Sequence, residues 1–327
     1  MEIHFTFSCI TMAIAKLLIL AVAGYALRSL HIIDDKFNDT LSTVLVKLLF
    51  PALIIHRTVA NFSFGEFHLW WILPFSAVIY SVMGMFLACG VYSLVRGTVS
   101  AGSISRAKRE FIAGCGFQNS GYLPMNIILF AFSGLVGDTL LVYMFLFLTG
   151  FNLLIWSFLP LFFERKHLAD LKAGTIFNPP VIATIFSLIW VWFFGKGSMP
   201  SVISDPMGQL GQAAFPIAMI TLGAYLSRYR AHLPERKFLV AVGIAVKLII
   251  FPALVLAVFT LLPIEPGYRF FLFVEAIMPS AVTLVVVGSY TGADNSYLSS
   301  AIFYSHIAAI FTIPLWLGVF GMFFPGG

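Results

Sequence analysis

Apolar runs of about twenty residues recur along the whole chain, each closed by a short stretch of charged residues, glycine or proline. Ten segments follow from this pattern, at about 5–28, 40–60, 69–95, 110–132, 138–163, 178–195, 206–228, 238–262, 268–290 and 297–323. A helix of about 20 residues rises about 30 Å, the thickness of a bilayer's hydrocarbon core. The pattern therefore predicts an all-α polytopic membrane protein with ten transmembrane helices. The first run follows Met-Glu with no basic region and no small-residue cleavage site, and reads as a first span, not a signal peptide.

The stretches after odd-numbered spans carry Arg28, Lys36, Arg96, Arg106, Lys108, Arg109, Arg165, Lys166, Lys172, Arg228, Arg230, Arg236 and Lys237, whereas the opposite side has Lys196 and Arg269. Short loops rich in Lys and Arg stay cytoplasmic, so both termini are predicted outside.

Prolines mark an internal repeat. Phe50-Pro51-Ala52-Leu53-Ile54-Ile55 in span two resembles Phe215-Pro216-Ile217-Ala218-Met219-Ile220 in span seven, and Pro74 in span three corresponds to Pro252 in span eight. Span four has Pro124 near its centre and Gly137-Asp138 beyond its end, matched in span nine by Pro279 and Gly292-Ala293-Asp294. Spans one to five (residues 1–163) thus match spans six to ten (178–327), joined by a cytoplasmic linker at 164–177. Five is odd, so the second copy enters the membrane from the opposite side, the inverted repeat of secondary transporters.

The interruptions concentrate polar groups where hydrocarbon is expected. Gly116-Phe117-Gln118-Asn119-Ser120-Gly121-Tyr122-Leu123-Pro124-Met125-Asn126 cannot run as a regular helix, because Pro124 removes a donor and its ring clashes with the preceding turn. Gln118, Asn119 and Ser120 are the natural replacements for the lost backbone partners, and equally suit a bound ion or substrate. Glu275-Ala276-Ile277-Met278-Pro279-Ser280-Ala281-Val282-Thr283 repeats the theme. Two such broken helices, meeting at the midplane, would aim helix N-termini and freed carbonyls at one point. Simple kinks with polar side chains gluing neighbours are the structural alternative.

Composition agrees with a membrane protein. Hydrophobic residues make up 60% and charged residues 10%, far from the balance of a soluble domain. The net charge of +5 resides in short loops, which is topogenic and argues against a nucleic-acid partner. Cys9, Cys89 and Cys115 lie in apolar runs without metal-ligand spacing. Glu275 is the one acidic residue deep within a predicted span, and either takes a proton, binds a cation such as sodium, or pairs with Lys247 of span eight. Lys16 and Lys47 are candidate cavity charges, although Lys47 is near enough to the surface to snorkel. His306 and Asn152 either line such a cavity or are satisfied core groups, and His56 and Arg57 read as interfacial anchors.

Taken together, Leu45-Val46-Lys47-Leu48-Leu49-Phe50-Pro51-Ala52-Leu53-Ile54, Asn119-Ser120-Gly121-Tyr122-Leu123-Pro124, Asn178-Pro179-Pro180 and Met278-Pro279-Ser280-Ala281-Val282 resemble the auxin efflux carrier family across essentially the whole chain. The resemblance implies a fold similar to bile acid sodium symporters. Spans one, two, six and seven would be a scaffold, with a homodimer through them as an open option, and the other six spans would be a mobile transport unit. It also implies a small organic anion, auxin-like or a mono- or dicarboxylate, bound beside Gln118, Asn119, Ser120, Pro124, Met278, Pro279 and Ser280 and moved in an elevator-like manner. Glu275 and Lys247, read from their charges within the membrane, are the candidate coupling residues, with H+, Na+ or no ion coupled, no cofactor and no resident metal. In place of the Gly that the family often has before the Asn, this chain has Gln118. Short loops suggest the cytoplasmic membrane of a prokaryote. An uncoupled anion channel would use the same residues. A membrane-embedded enzyme finds no His-Glu-x-x-His motif, P-loop or paired intramembrane aspartates.

Overall fold

The structure, a computed structural model, describes residues 7–95, 104–132, 134–164, 178–230, 237–291, 293 and 295–324. The described residues contain helices and no strands. In chain order the helices are α1 Phe7–Ser29, α2 Asp35–Val44, α3 Phe50–Asn61, α4 Ile72–Val95, α5 Ile104–Gly116, α6 Tyr122–Ala131 and α7 Gly134–Glu164. They continue as α8 Pro179–Phe194, α9 Ser201–Tyr229, α10 Lys237–Ala245, α11 Phe251–Leu261, α12 Pro266–Ala276, α13 Thr283–Thr291 and α14 Asn295–Phe323. Arg96, Arg165, Lys166, Lys172, Arg236, Gly292 and Asp294 lie outside the described residues, as does all of the predicted linker except Glu164, which ends α7.

Seven helices or continuous helix pairs among the described residues are long and apolar enough to cross a membrane. They correspond to predicted spans one, two, three, five, seven, eight and ten. Spans four and nine are each divided into two short helices, α5 and α6, and α12 and α13. Span six forms α8, with 16 residues, a rise of about 24 Å. Its start is fixed by Asn178, whose side chain accepts the Val181 N–H at 3.1 Å as an N-cap, followed by Pro179 and Pro180 where helix N–H groups have no internal partner.

Spans two and eight stay continuous through five-residue π-helical turns, Leu45–Leu49 between α2 and α3 and Val246–Ile250 between α10 and α11. In each, the Phe ahead of the proline bonds five residues back, Phe50 N–H to Leu45 O and Phe251 N–H to Val246 O. The added residue lets the helix absorb the missing donor of Pro51 or Pro252 without breaking. The sequences are alike too, Val46-Lys47-Leu48-Leu49-Phe50-Pro51-Ala52-Leu53 against Val246-Lys247-Leu248-Ile249-Ile250-Phe251-Pro252-Ala253-Leu254. This local likeness crosses the pairing of spans read from the prolines alone.

Two groups of helices emerge from the packing. In one, α1 lies along α9, and α3 packs on both α8 and α9. In the other, α4 packs on α5 and α7, while α14 packs on α5, α10 and α13. Close approach in the first group depends on glycine. A Cβ on Gly24 of α1 would stand 2.0 Å from Ile220 O, and one on Gly223 of α9 would stand 1.9 Å from Ala21 O. Gly223→Val is therefore expected to destabilise the protein by about 3 kcal/mol or more. Thermal unfolding in detergent checks this, with Gly90→Val, where a Cβ meets open space, as the control.

Candidate functional site

The breaks in the two divided spans face each other. Between α5 and α6 the chain leaves the helix at Phe117 to Gly121, and between α12 and α13 it does so at Ile277 to Val282. These segments pass antiparallel. Asn119 N–H donates to Pro279 O at 2.8 Å, Ala281 N–H donates to Phe117 O at 3.0 Å, and Gln118 stands opposite Ser280. Each break thus supplies backbone partners that the other lacks, which is how irregular chain is tolerated inside a hydrophobic body.

That arrangement corrects the expected role of the side chains. Gln118 and Ser120 do not stand in for the lost backbone bonds: both atoms of the Gln118 amide and Ser120 Oγ are buried without a hydrogen-bond partner. Ser280 Oγ does perform this service, donating to Gly114 O at 2.7 Å near the end of α5. Asn119 is fixed from two sides. Its carbonyl accepts Tyr122 N–H at 3.3 Å at the start of α6, and its amide donates to His306 Nε2 at 2.9 Å. His306 Nδ1–H donates to Ile302 O at 2.8 Å, which leaves Nε2 as an acceptor and sets the neutral tautomer. Of the two readings open for His306, the satisfied core group describes its bonds, although it also edges an apolar cavity between α1, α9, α6 and α14.

Beside the crossover is a cavity of about 120 Å³ lined by Gln118, Asn119, Ser120, Tyr122, Asn152, Asn178 and Thr283 on its polar side. Its apolar wall includes Phe50, Ile54, Phe145, Phe151, Trp156 and Val282. The N-termini of α6 and α13 both open onto it, so two positive helix ends meet one small space. Among the described residues, no charged side chain lines this cavity. Pro124, Met278, Pro279 and Ser280 are buried and shape the crossover without lining it. Pro124 sits in the first turn of α6, where a helix has spare N–H groups, so it starts a helix instead of kinking one. Tyr122, Trp156 and Asn178 were missed as lining residues; Asn178 carried the one usable signal, an N-cap before two prolines.

Behind the crossover lies a group of buried polar side chains. Glu275 is 0% exposed and Lys247 1%. Their charges interact, but Glu275 Oε1, Oε2 and Lys247 Nζ have no hydrogen-bond partner, so the pair is not a direct salt bridge. Ser120 and Gln118 face the carboxylate without reaching ordinary hydrogen-bond geometry, and the Tyr80 hydroxyl is within its electrostatic range. The Lys247 ammonium is 5.0 Å from the centre of the Phe251 ring. Glu110 on α5 is also fully buried, so Glu275 is not the only enclosed carboxylate.

The other basic candidates are elsewhere. Lys16 is exposed on α1 with its ammonium 5.7 Å from the Phe130 ring, and Lys47 is exposed on its π turn; neither lines the crossover cavity. An all-round apolar helix gives no amphipathic signal of which face turns inward. Arg57 and His56 both make contacts between helices. Arg57 forms an ion pair with Asp138 of α7, both half-buried, and His56 Nδ1 is 3.1 Å from Ser204 Oγ of α9.

Comparison with known proteins places this geometry in context. The profile of the family described as membrane transport protein matches residues 9–175 and 165–317. An uncharacterized transporter of Methanocaldococcus jannaschii is 26% identical over 91% of this chain and 95% of its own length. One from Methanothermobacter thermautotrophicus is 26% identical over 94% and 97%. PIN-LIKES 1 of Arabidopsis thaliana is 19% identical over 93% of this chain and 77% of its own.

Proposed function

Because the chain belongs to the membrane transport protein family, that of the auxin efflux carriers, we propose that it is a secondary carrier of small organic anions. The observation that carries this reading is the crossover cavity. Its neutral donors and the two helix N-termini suit a carboxylate, and its aromatic wall suits the apolar body of the same molecule. An anion bound there accepts hydrogen bonds from Gln118 or Ser120, whose polar atoms otherwise stay orphaned, and from the remaining amide hydrogen of Asn119.

Transport is by alternating access of the elevator type. The group containing α1, α3, α8 and α9 is the scaffold, and the group containing α4 to α7 and α10 to α14 carries the site. The cavity supports this division because Val46, Phe50, Ile54 and Asn178 come from one group and the crossover and α7 from the other. Ten crossings in two inverted repeats, with both termini outside, put Trp156 and Asn178 toward the cytoplasm and the Arg57–Asp138 pair toward the exterior. The conformation is then inward-facing, in the cytoplasmic membrane of a prokaryote.

The test is thermal-shift and direct binding of purified protein with monocarboxylates, dicarboxylates and indole-3-acetate, followed by flux in proteoliposomes. Saturable exchange at slow turnover is the expected result. Conductance far above carrier rates, or no response to any carboxylate, overturns the reading.

A further inference from the structure

The crossover cavity and the buried carboxylate share two side chains. Gln118 and Ser120 line the cavity on one side and face Glu275 on the other, and neither has a hydrogen-bond partner of its own. They are the link between an enclosed acid and the space where a substrate would sit.

Charge balance gives that link a purpose. With the cavity empty, Glu275 as carboxylate and Lys247 as ammonium cancel inside the membrane. A singly charged anion entering the cavity would leave a net negative charge in a body that must cross hydrocarbon. A proton on Glu275 removes that excess: substrate anion, neutral acid and ammonium again sum to zero. A sodium ion would do the same arithmetic but needs room and several oxygen ligands, whereas a proton needs no added volume where Glu275 is 0% exposed.

We propose that Glu275 takes up one proton, passed from the crossover cavity by way of Ser120, for each singly charged carboxylate that binds, making transport an electroneutral proton–anion symport. This rests on the carrier reading above. The proton comes from water on whichever side the cavity opens to, converts the carboxylate to the acid, and leaves by the same path when the anion departs. Ser120 Oγ serves as a relay, accepting on one lone pair and donating its own proton to the carboxylate.

Among the described residues, few titratable groups face Glu275. Lys247 comes from the π turn before α11 and Tyr80 from α4, and Cys115 of α5 interacts with Lys247. Beyond the crossover, His306 of α14 is held by Asn119 and Ile302. Tyr143 of α7 stacks on Tyr268 at the opposite end of α12, and Glu110 of α5 is buried with contacts of its own. The sequence of α11 contains no titratable residue.

Calorimetric binding of indole-3-acetate and of propionate, repeated in buffers of different ionisation heat between about pH 6 and 9, counts the protons exchanged per ligand. Wild-type protein is expected to take up as much as one proton per ligand at the alkaline end, and Glu275→Gln none while still binding. Glu275→Asp restores the uptake. Binding without proton uptake at every pH, or uptake unchanged in Glu275→Gln, overturns the proposal. Infrared titration supplies a ligand-free arm: a carboxylic acid C=O band that appears on acidification must be absent from Glu275→Gln. If neither carboxylate binds, the carrier reading fails for this class, and the infrared band still decides whether Glu275 takes up the proton. Sodium added at constant pH should leave that band in place; its loss overturns the choice of proton.

Discussion

Asn119→Ala should weaken carboxylate binding about ten- to hundredfold, equivalent to about 1.4–2.7 kcal/mol, the range of a hydrogen-bonded group lost from a buried site. The same change removes three things at once. The cavity loses a lining donor, Tyr122 N–H loses its acceptor at the start of α6, and His306 Nε2 loses its donor. Binding and stability therefore both fall, and calorimetry beside thermal unfolding separates them. Asn119→Asp keeps the acceptor for Tyr122 but presents a second acceptor to His306 Nε2. That pair is satisfied once a single proton lies between them, on the carboxyl or on Nε2, so Asn119→Asp should recover stability as pH falls, whereas Asn119→Ala should not. Binding left at the wild-type level in Asn119→Ala places the substrate elsewhere.

Breaking the Arg57–Asp138 pair is expected to change which side of the membrane the cavity faces. The pair joins α3 to α7, hence the two helix groups, and each side chain remains 26% exposed. Solvent screening limits its worth to about 1 kcal/mol, enough to shift a two-state population about fivefold. Asp138→Asn should raise outward accessibility of a cysteine placed at Ile54, which lines the cavity. Reversing the pair, Arg57→Asp with Asp138→Arg, should return it toward the wild-type value. Labelling that is equal in all three proteins would mean the contact does not hold the conformation.

Much of this architecture was readable from residue order, for a simple reason. The length of apolar runs fixes helices, and coincident glycine, proline and amide residues mark where helices fail, so both breaks were located from Pro124 and Pro279. Facing was not readable. Lys47 and Lys247 lie in two similar runs but one register apart, four residues before Pro51 and five before Pro252, and one is exposed while the other is enclosed; spans apolar on every side carry no periodic clue to which register turns inward. The hydrogen bonds between Asn119 and Pro279 and between Ala281 and Phe117 were equally hidden, since backbone pairing leaves no composition signature. Likewise Arg57 and Asp138 were each visible, but nothing in the order of residues said that α3 and α7 would bring them together.

The short antiparallel contact at the crossover has one more consequence. Around Asn119 the chain makes a tight turn, Ser120 N–H donating to Gln118 O at 2.9 Å, so the side chains on either side of Asn119 point away from its own. Gln118 and Ser120 accordingly face Glu275, while Asn119 between them turns to His306. Lengthening or shortening this segment by a single residue would exchange those faces, giving the histidine to a serine or glutamine and the enclosed acid to the asparagine. The spacing from Gly116 to Tyr122 is thus a phase setting: it decides which polar group answers to which half of the molecule, and a chain of identical composition but shifted by one position would have the same helices and a different site.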